Sequence, residues 1–175
     1  MVELRDFRTS DCRQLVAWID GPVELWNWSG HHFSWPLDEG QLAEYAAESS
    51  TPVRQSWMAF DPTTGHVVGH VSLRIDAANA GGRLGRVLVA PEARGKGYGT
   101  AMVTKALDAG FGELGLEQIE LGVWDDNARA IRLYEGLGFA CDHVLRDVVR
   151  FAGKSWSAMQ MILPRSAWAA DAAST

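Results

Sequence analysis

Arg94-Gly95-Lys96-Gly97-Tyr98-Gly99 follows the apolar run Val87-Leu88-Val89 and precedes a periodic helix that begins near Thr100. A glycine-rich turn between strand and helix is an anion cradle. Residues without a Cβ let the backbone approach a ligand closely. The first N–H groups of the helix have no intrahelical partner and are free for phosphate oxygens. Arg94 and Lys96 add two cations at the same spot. The bland alternative is a glycine-rich connection with a solvated basic rim. Spacing narrows the ligand. A P-loop closes on Lys-Ser or Lys-Thr, which this turn lacks, and a dinucleotide fingerprint reads G-x-G-x-x-G, whereas Gly95, Gly97 and Gly99 alternate with single residues. What remains is Arg94-x-x-Gly97-x-Gly99.

Further along runs Asn127-Ala128-Arg129-Ala130-Ile131-Arg132-Leu133-Tyr134-Glu135-Gly136-Leu137-Gly138-Phe139. Together the two stretches resemble the R/Q-x-x-G-x-G/A and N-x-x-A-x-x-x-Y-E-x-x-G-F signatures of the GNAT superfamily of acyl-coenzyme A N-acyltransferases, in the same order and spacing. Val144-Leu145-Arg146-Asp147, with the hydrophobic strand Ser157 to Leu163 after it, is similar to the branch that includes the ribosomal-protein N-terminal acetyltransferases. The resemblance runs from Leu4 to Leu163, is strong from Gly82 to Phe139 and weak before Trp57.

With 175 residues and 47% apolar content, the chain suits one globular domain, with about 164–175 as a flexible tail. No apolar run approaches the roughly 20 residues of a spanning helix, and Met1-Val2-Glu3-Leu4-Arg5-Asp6 lacks the order of a signal peptide, so the expected location is the cytoplasm, away from membrane. Cys12 and Cys141 are far apart and outside any metal-ligand spacing, so buried reduced thiols are expected rather than a disulfide or a metal site. A net charge of −6 argues against nucleic-acid binding and is compatible with a cationic substrate.

Apolar alternation from Val2 to Phe7 predicts a first strand. Ser10 can cap a helix whose stripe is Cys12, Leu15, Val16 and Ile19, stopped by Gly21-Pro22. An aromatic loop, Trp26 to Pro36, follows. Asp38 with Gln41 reads as a capping box for a helix through about Glu48. Strands Arg54 to Phe60 and His66 to Ile75 flank the turn Asp61-Pro62-Thr63-Thr64-Gly65 as a hairpin, and a strand near Arg83 to Val89 extends it. The helix after the glycine turn and a strand Gln118 to Val123 form a right-handed crossover with parallel strands. A helix from about Ala128 to Leu137, ended by Gly138, and strands near Cys141 to Val149 and Ser157 to Leu163 complete the chain, with Ala167 to Thr175 as a frayed tail. The resulting class is α+β, with a mixed, mostly antiparallel sheet of about seven strands and about four helices.

The resemblance implies acetyl-coenzyme A as cofactor, released as coenzyme A. Arg94, Gly95, Lys96, Gly97, Tyr98, Gly99 and Thr100 would hold its pyrophosphate, and the backbone of Val87, Leu88 and Val89 its pantetheine arm, like an added strand. Asn127 would bond the same arm, although it can equally be a helix N-cap. Tyr134 matches the family's general acid for the departing sulfur, against the plainer reading of a packed aromatic residue. A Glu that serves as base in some ribosomal-protein relatives is here Gly122. Glu120, two residues earlier on the same face, is the tentative base, with a solvated carboxylate as the alternative and Asp125, Asp126, a bound water, His31 and His32 as rivals.

In this fold the segment after the first strand commonly covers the acceptor, and here it carries Trp26, Trp28, Phe33 and Trp35. Trp28 and Trp35, near the carboxylates of Glu24 and Asp38, are candidates to bind an ammonium by cation–π contact, unless the aromatic residues simply plug the core. The implied function is acetyl transfer to a primary amine of a small molecule or a protein N-terminus by direct attack in a ternary complex. A non-catalytic acyl-coenzyme A sensor is the alternative, and a protein binding another phosphate ligand a third. Edge strands and the Trp-rich surface are compatible with a homodimer.

Overall fold

The hairpin marked by Asp61 to Gly65 lies within a seven-stranded sheet in the computed structural model, which describes residues 1–172. The strands are β1 (Glu3–Asp6), β2 (Arg54–Phe60), β3 (Val67–Asp76), β4 (Gly81–Val89), β5 (Gln118–Trp124), β6 (Ala140–Phe151) and β7 (Lys154–Pro164). Their order is β1-β2-β3-β4-β5-β7-β6. β4 and β5 run parallel, in register from Gly81–Gln118 to Arg83–Glu120, while β1–β2, β2–β3, β5–β7 and β6–β7 are antiparallel. The mixed, mostly antiparallel class is as expected. Among the described residues the α-helices number six rather than the expected four or so: α1 (Cys12–Ala17), α2 (Pro22–Ser29), α3 (Glu39–Ala47), α4 (Tyr98–Asp108), α5 (Ala128–Gly136) and α6 (Arg165–Ala172).

Contacts divide the chain into two compact units, Met1–Ile75 with Leu84–Ala106, and Asp76–Arg83 with the chain from Leu107 onward. In the first unit β3 is buried on both faces from Val68 to Leu73, so a one-sided alternation is absent and Gly69, His70 and Ser72 lie in the interior. Gly69 is there for space. A Cβ at this position would stand 2.7 Å from the Leu88 carbonyl oxygen and 2.9 Å from Met102 Sδ of α4. Asp38 caps α3 by accepting from the Gln41 backbone N–H at 2.9 Å, but the Gln41 side chain turns to the Ser34 backbone rather than completing the box. Two expectations change here. Asp11, not Ser10, organises the start of the first helix, since its carboxylate accepts from the Arg8 N–H and pairs with Arg5 at 2.7 Å. Pro22 does not merely stop that helix; it opens α2 as a first-turn proline, placing Trp26 and Trp28 on a helix instead of a loop.

In the second unit β5 alternates cleanly, with Ile119, Leu121 and Val123 buried and Glu120 and Gly122 on the exposed side. Asn127 caps α5, and the chain leaves the helix through Gly138 at φ +89°. Tyr134, Leu137 and Phe139 are buried behind that turn. The expected C-terminal tail instead carries α6, packed through a Trp168–Phe111 ring contact at 6.2 Å; residues 173–175 of that expected tail lie outside the described residues.

Candidate active site

In the first unit, β4 delivers the chain into the glycine turn. Gly95 and Gly97 have φ of +80° and +81°, where an L side chain is strained, and no atom lies within 4 Å of either Cβ position. The Gly97 carbonyl accepts from the Ala101 N–H at 3.2 Å, so the N–H groups after it open the first turn of the eleven-residue α4. Arg94 is engaged already. Its Nη2 pairs with Glu24 Oε1 of α2 at 2.8 Å and its Nε donates to the Val89 carbonyl at 3.3 Å. Lys96 is exposed and forms no ion pair among the described residues. Tyr98 donates its hydroxyl to Asp61 Oδ2 at 2.6 Å, pinning the turn to the β2–β3 connection and lowering the Asp61 pKa.

Behind β4 a polar chain threads the core of the same unit. A backbone carbonyl only accepts, so the 2.9 Å contact of His70 Nδ1 with the Arg86 carbonyl makes Nδ1 the protonated nitrogen. His70 Nε2 then accepts from the Tyr45 hydroxyl at 3.3 Å, and Tyr45 accepts from Ser56 Oγ at 2.9 Å. Burial pushes the His70 pKa down to about 4, so the ring is neutral at pH 7. The anchored carbonyl belongs to a strained residue. Arg86 sits at φ +49°, and its guanidinium carbon stands 4.8 Å from the centre of the Tyr45 ring and 5.6 Å from that of Phe33. Sequence reading missed both His70 and Arg86. The available signal was a lone cation in the apolar strand run Leu84 to Val89.

The aromatic segment sorts into inner and outer members. Trp28 is 9% exposed, stacks on Phe33 with centroids 5.6 Å apart and meets the His70 ring edge-on, whereas Trp35 is 47% exposed. Neither expected carboxylate is free for an ammonium, since Glu24 holds Arg94 and Asp38 caps α3. His32 donates from Nδ1 to the Ser29 carbonyl at 3.1 Å, which leaves Nε2 with its lone pair. Burial and, after it, the Arg86 charge lower its pKa, with His31 and Arg54 acting in the same direction.

The second unit holds Glu120, Asn127 and Tyr134. Asn127 Oδ1 accepts from the Ala130 N–H at 3.1 Å, so the cap is formed by the oxygen and the amide NH₂ makes no bond among the described residues. Tyr134 is 8% exposed, edge-on to Phe139 at 5.9 Å, and its hydroxyl forms no hydrogen bond among the described residues. Burial raises its pKa to about 12, so it is a neutral phenol through the physiological range. Glu120 is occupied. Its Oε1 accepts from Arg83 Nη1 at 2.9 Å, and Arg83 Nη2 donates to Gln160 Oε1 at 2.9 Å. A Cβ at Gly122 would lie 2.8 Å from Arg83 Nη2 and 3.0 Å from Gln160 Nε2, so the place of the absent carboxylate is filled by these two side chains.

Known proteins share stretches of this sequence and its fold. A spermidine N(1)-acetyltransferase of Vibrio cholerae is 41% identical over 54 residues, 31% of this chain and 31% of that protein. A mycothiol acetyltransferase of Acidimicrobium ferrooxidans is 28% identical over 137 residues, 73% of this chain and 40% of its own. The chain thus spans less than half the length of these relatives in each match. Among solved structures, the Vibrio cholerae spermidine N-acetyltransferase in complex with CoA and spermine superposes with a TM-score of 0.84 over 96% of this chain and 98% of that one, at 22% identity, a likeness of fold. No described helix is long and apolar enough to cross a membrane. The glycine turn, the capped Asn127 helix and the match of residues 12–139 to the family carry one conclusion: the chain belongs to the acetyltransferase (GNAT) family.

Proposed function

We propose that this chain is an acetyl-coenzyme A-dependent N-acetyltransferase that acetylates a primary amine of a small molecule by direct attack, without an acyl-enzyme. The observation that carries the reading is the turn at Gly95 and Gly97, left-handed, open at both Cβ positions and leading into α4. Phosphate oxygens fit there, on backbone N–H groups at the positive end of a helix. Lys96 supplies the free cation, while Arg94 ties the turn to α2 through Glu24. The bound thioester supplies an activated acetyl group. The backbone of Val87 to Val89 would align the pantetheine arm, and in the second unit the Asn127 amide NH₂ is an uncommitted donor.

Tyr134 holds a proton on a phenol that no protein group claims, which suits donation to a departing sulfur. The base is His32 in this reading. Its lone pair on Nε2 and its lowered pKa keep it proton-free at neutral pH, whereas Glu120 is spent on Arg83. A protein N-terminus, the acceptor of the branch that Val144 to Asp147 resembles, is the other acceptor class. The sealed position at Gly122 favours the second reading of a sensor that binds acyl-coenzyme A without turnover.

Thiol release from acetyl-coenzyme A across amino acids, polyamines, aminoglycosides and short peptides, with coenzyme A affinity measured in parallel, decides between them. The expected result is turnover with one acceptor class, and a coenzyme A affinity at least tenfold weaker in Gly97→Val, whose side chain blocks backbone approach in a strained conformation. Tight binding with no thiol release on any acceptor supports the sensor.

A further inference from the structure

Arg86 stands over two rings, Phe33 and Tyr45, and forms no ion pair among the described residues, whereas Arg54, which also lies over Tyr45, is paired with Glu48. Its Nε is buried without a hydrogen-bond partner, while the two Nη atoms of Arg86, which form no hydrogen bond or ion pair among the described residues, are not among the buried unpartnered atoms and so face solvent. The charged groups around it are Arg54, Arg74 and Glu48, and Glu48 is already paired with Arg54 at 3.1 Å. Phe33 and Tyr45 offer ring faces to the cation, but ring faces leave the in-plane N–H groups unused. A second buried donor, the indole N–H of Trp28, also lacks a partner, and Trp28 is stacked on the same Phe33 ring. The open Nη donors of a cation without an ion-pair partner ask for an anionic acceptor, and a guanidinium fork is matched in shape by a carboxylate.

This inference rests on the acetyltransferase reading and names its acceptor. The geometry points to an acceptor amine that also carries a carboxylate, a small aminocarboxylate whose anionic end is held by Arg86, with the Trp28 indole N–H as a second donor. The strand sets the scale. Arg86 precedes Val89 by three residues, about 10 Å of extended chain, so an amine a few carbons from its carboxylate spans from the Arg86 guanidinium toward the end of β4. His32, whose pKa Arg86 lowers, is the proton acceptor on that side. A polyamine, by contrast, would bring its second ammonium to a region already holding Arg86 and Arg54, where Glu48 is taken by Arg54.

The test compares 4-aminobutyrate with butylamine and putrescine, first by binding and then by thiol release from acetyl-coenzyme A. Binding is read by saturation-transfer NMR and by tryptophan fluorescence, in wild type, Arg86→Gln and Arg86→Lys, with thermal unfolding of each variant. The expected result is that 4-aminobutyrate binds at least tenfold tighter than butylamine and is acetylated with at least tenfold higher kcat/KM. The preference is expected to vanish in Arg86→Gln and to shrink in Arg86→Lys, which keeps charge but loses the fork. Equal or tighter binding of putrescine, no binding of 4-aminobutyrate, or a carboxylate preference that survives folded Arg86→Gln would overturn the assignment. If Arg86→Gln does not fold, Arg86→Lys and the wild-type ranking decide. Arg86-dependent binding of 4-aminobutyrate without thiol release from any amine supports the anion subsite while removing the acetyltransferase reading, so the two fail separately.

Discussion

Tyr45 and Tyr134 are both buried phenols, 5% and 8% exposed, and burial raises the pKa of each. Their hydroxyls lead different lives. Tyr45 accepts from Ser56 and donates to His70, inside a chain that ends on the carbonyl of a left-handed Arg86. Tyr134 bonds to nothing among the described residues. A satisfied buried hydroxyl stabilises the structure that satisfies it; Tyr134 Oη is not among the buried atoms left without a partner, so its hydroxyl meets solvent although its ring is buried. The comparison separates a phenol that shapes the first unit from one in the second whose proton, in the proposed mechanism, goes to the departing sulfur.

The largest effect expected on stability concerns the histidine that receives the Tyr45 proton. His70 is fully buried and neutral, with its pKa lowered from 6.5 to about 4, so the unfolded chain takes up a proton that the fold refuses. Its contribution is fully present above pH 6.5 and is lost as the pH falls from 6.5 toward 4, by about 3 kcal/mol at the lower end. Urea unfolding at several pH values measures that slope, and His70→Gln should flatten it. A wild-type slope unchanged by the substitution would remove His70 from the account. Next comes Tyr45→Phe, expected to cost about 1–2 kcal/mol because His70 Nε2 loses its donor and Ser56 Oγ its acceptor. A neutral result there would erase the contrast with Tyr134. Smallest is Glu120→Gln, which weakens a half-exposed ion pair with Arg83 worth under about 1 kcal/mol. Thiol release should then change by no more than about threefold, while His32→Gln loses tenfold or more, on the usual scale for a general base. The reverse ranking would return the base to Glu120.

The strands and α5 were legible because their patterns are local. Asp61-Pro62-Thr63-Thr64-Gly65 specifies a hairpin turn, β5 alternates over seven residues, and Asn127 and Gly138 bracket one helix. α2 was hidden because its aromatic residues supply no clear helical stripe, and because Gly21-Pro22 reads as a stop after α1 as readily as a start for α2. The glycine turn could be read for the same reason as the hairpin. The occupants of the position at Gly122 could not. Arg83 and Gln160 are 77 residues apart and meet only through the registers of β4, β5 and β7. The His70–Tyr45–Ser56 chain likewise forms only where α3 packs on paired β2 and β3, and nothing in the local sequence of His70 distinguishes it from a surface histidine.

The most direct measurement is the single-turnover rate of thiol release from saturating acetyl-coenzyme A and acceptor, compared between wild type and Tyr134→Phe, with urea unfolding of both proteins. A hydroxyl held for the leaving sulfur predicts a rate about 100-fold lower, with coenzyme A affinity within about twofold and stability within about 0.5 kcal/mol, since no protein bond is broken. An unchanged rate, or a loss of stability that matches the loss of rate, would make Tyr134 a packing residue and contradict the account.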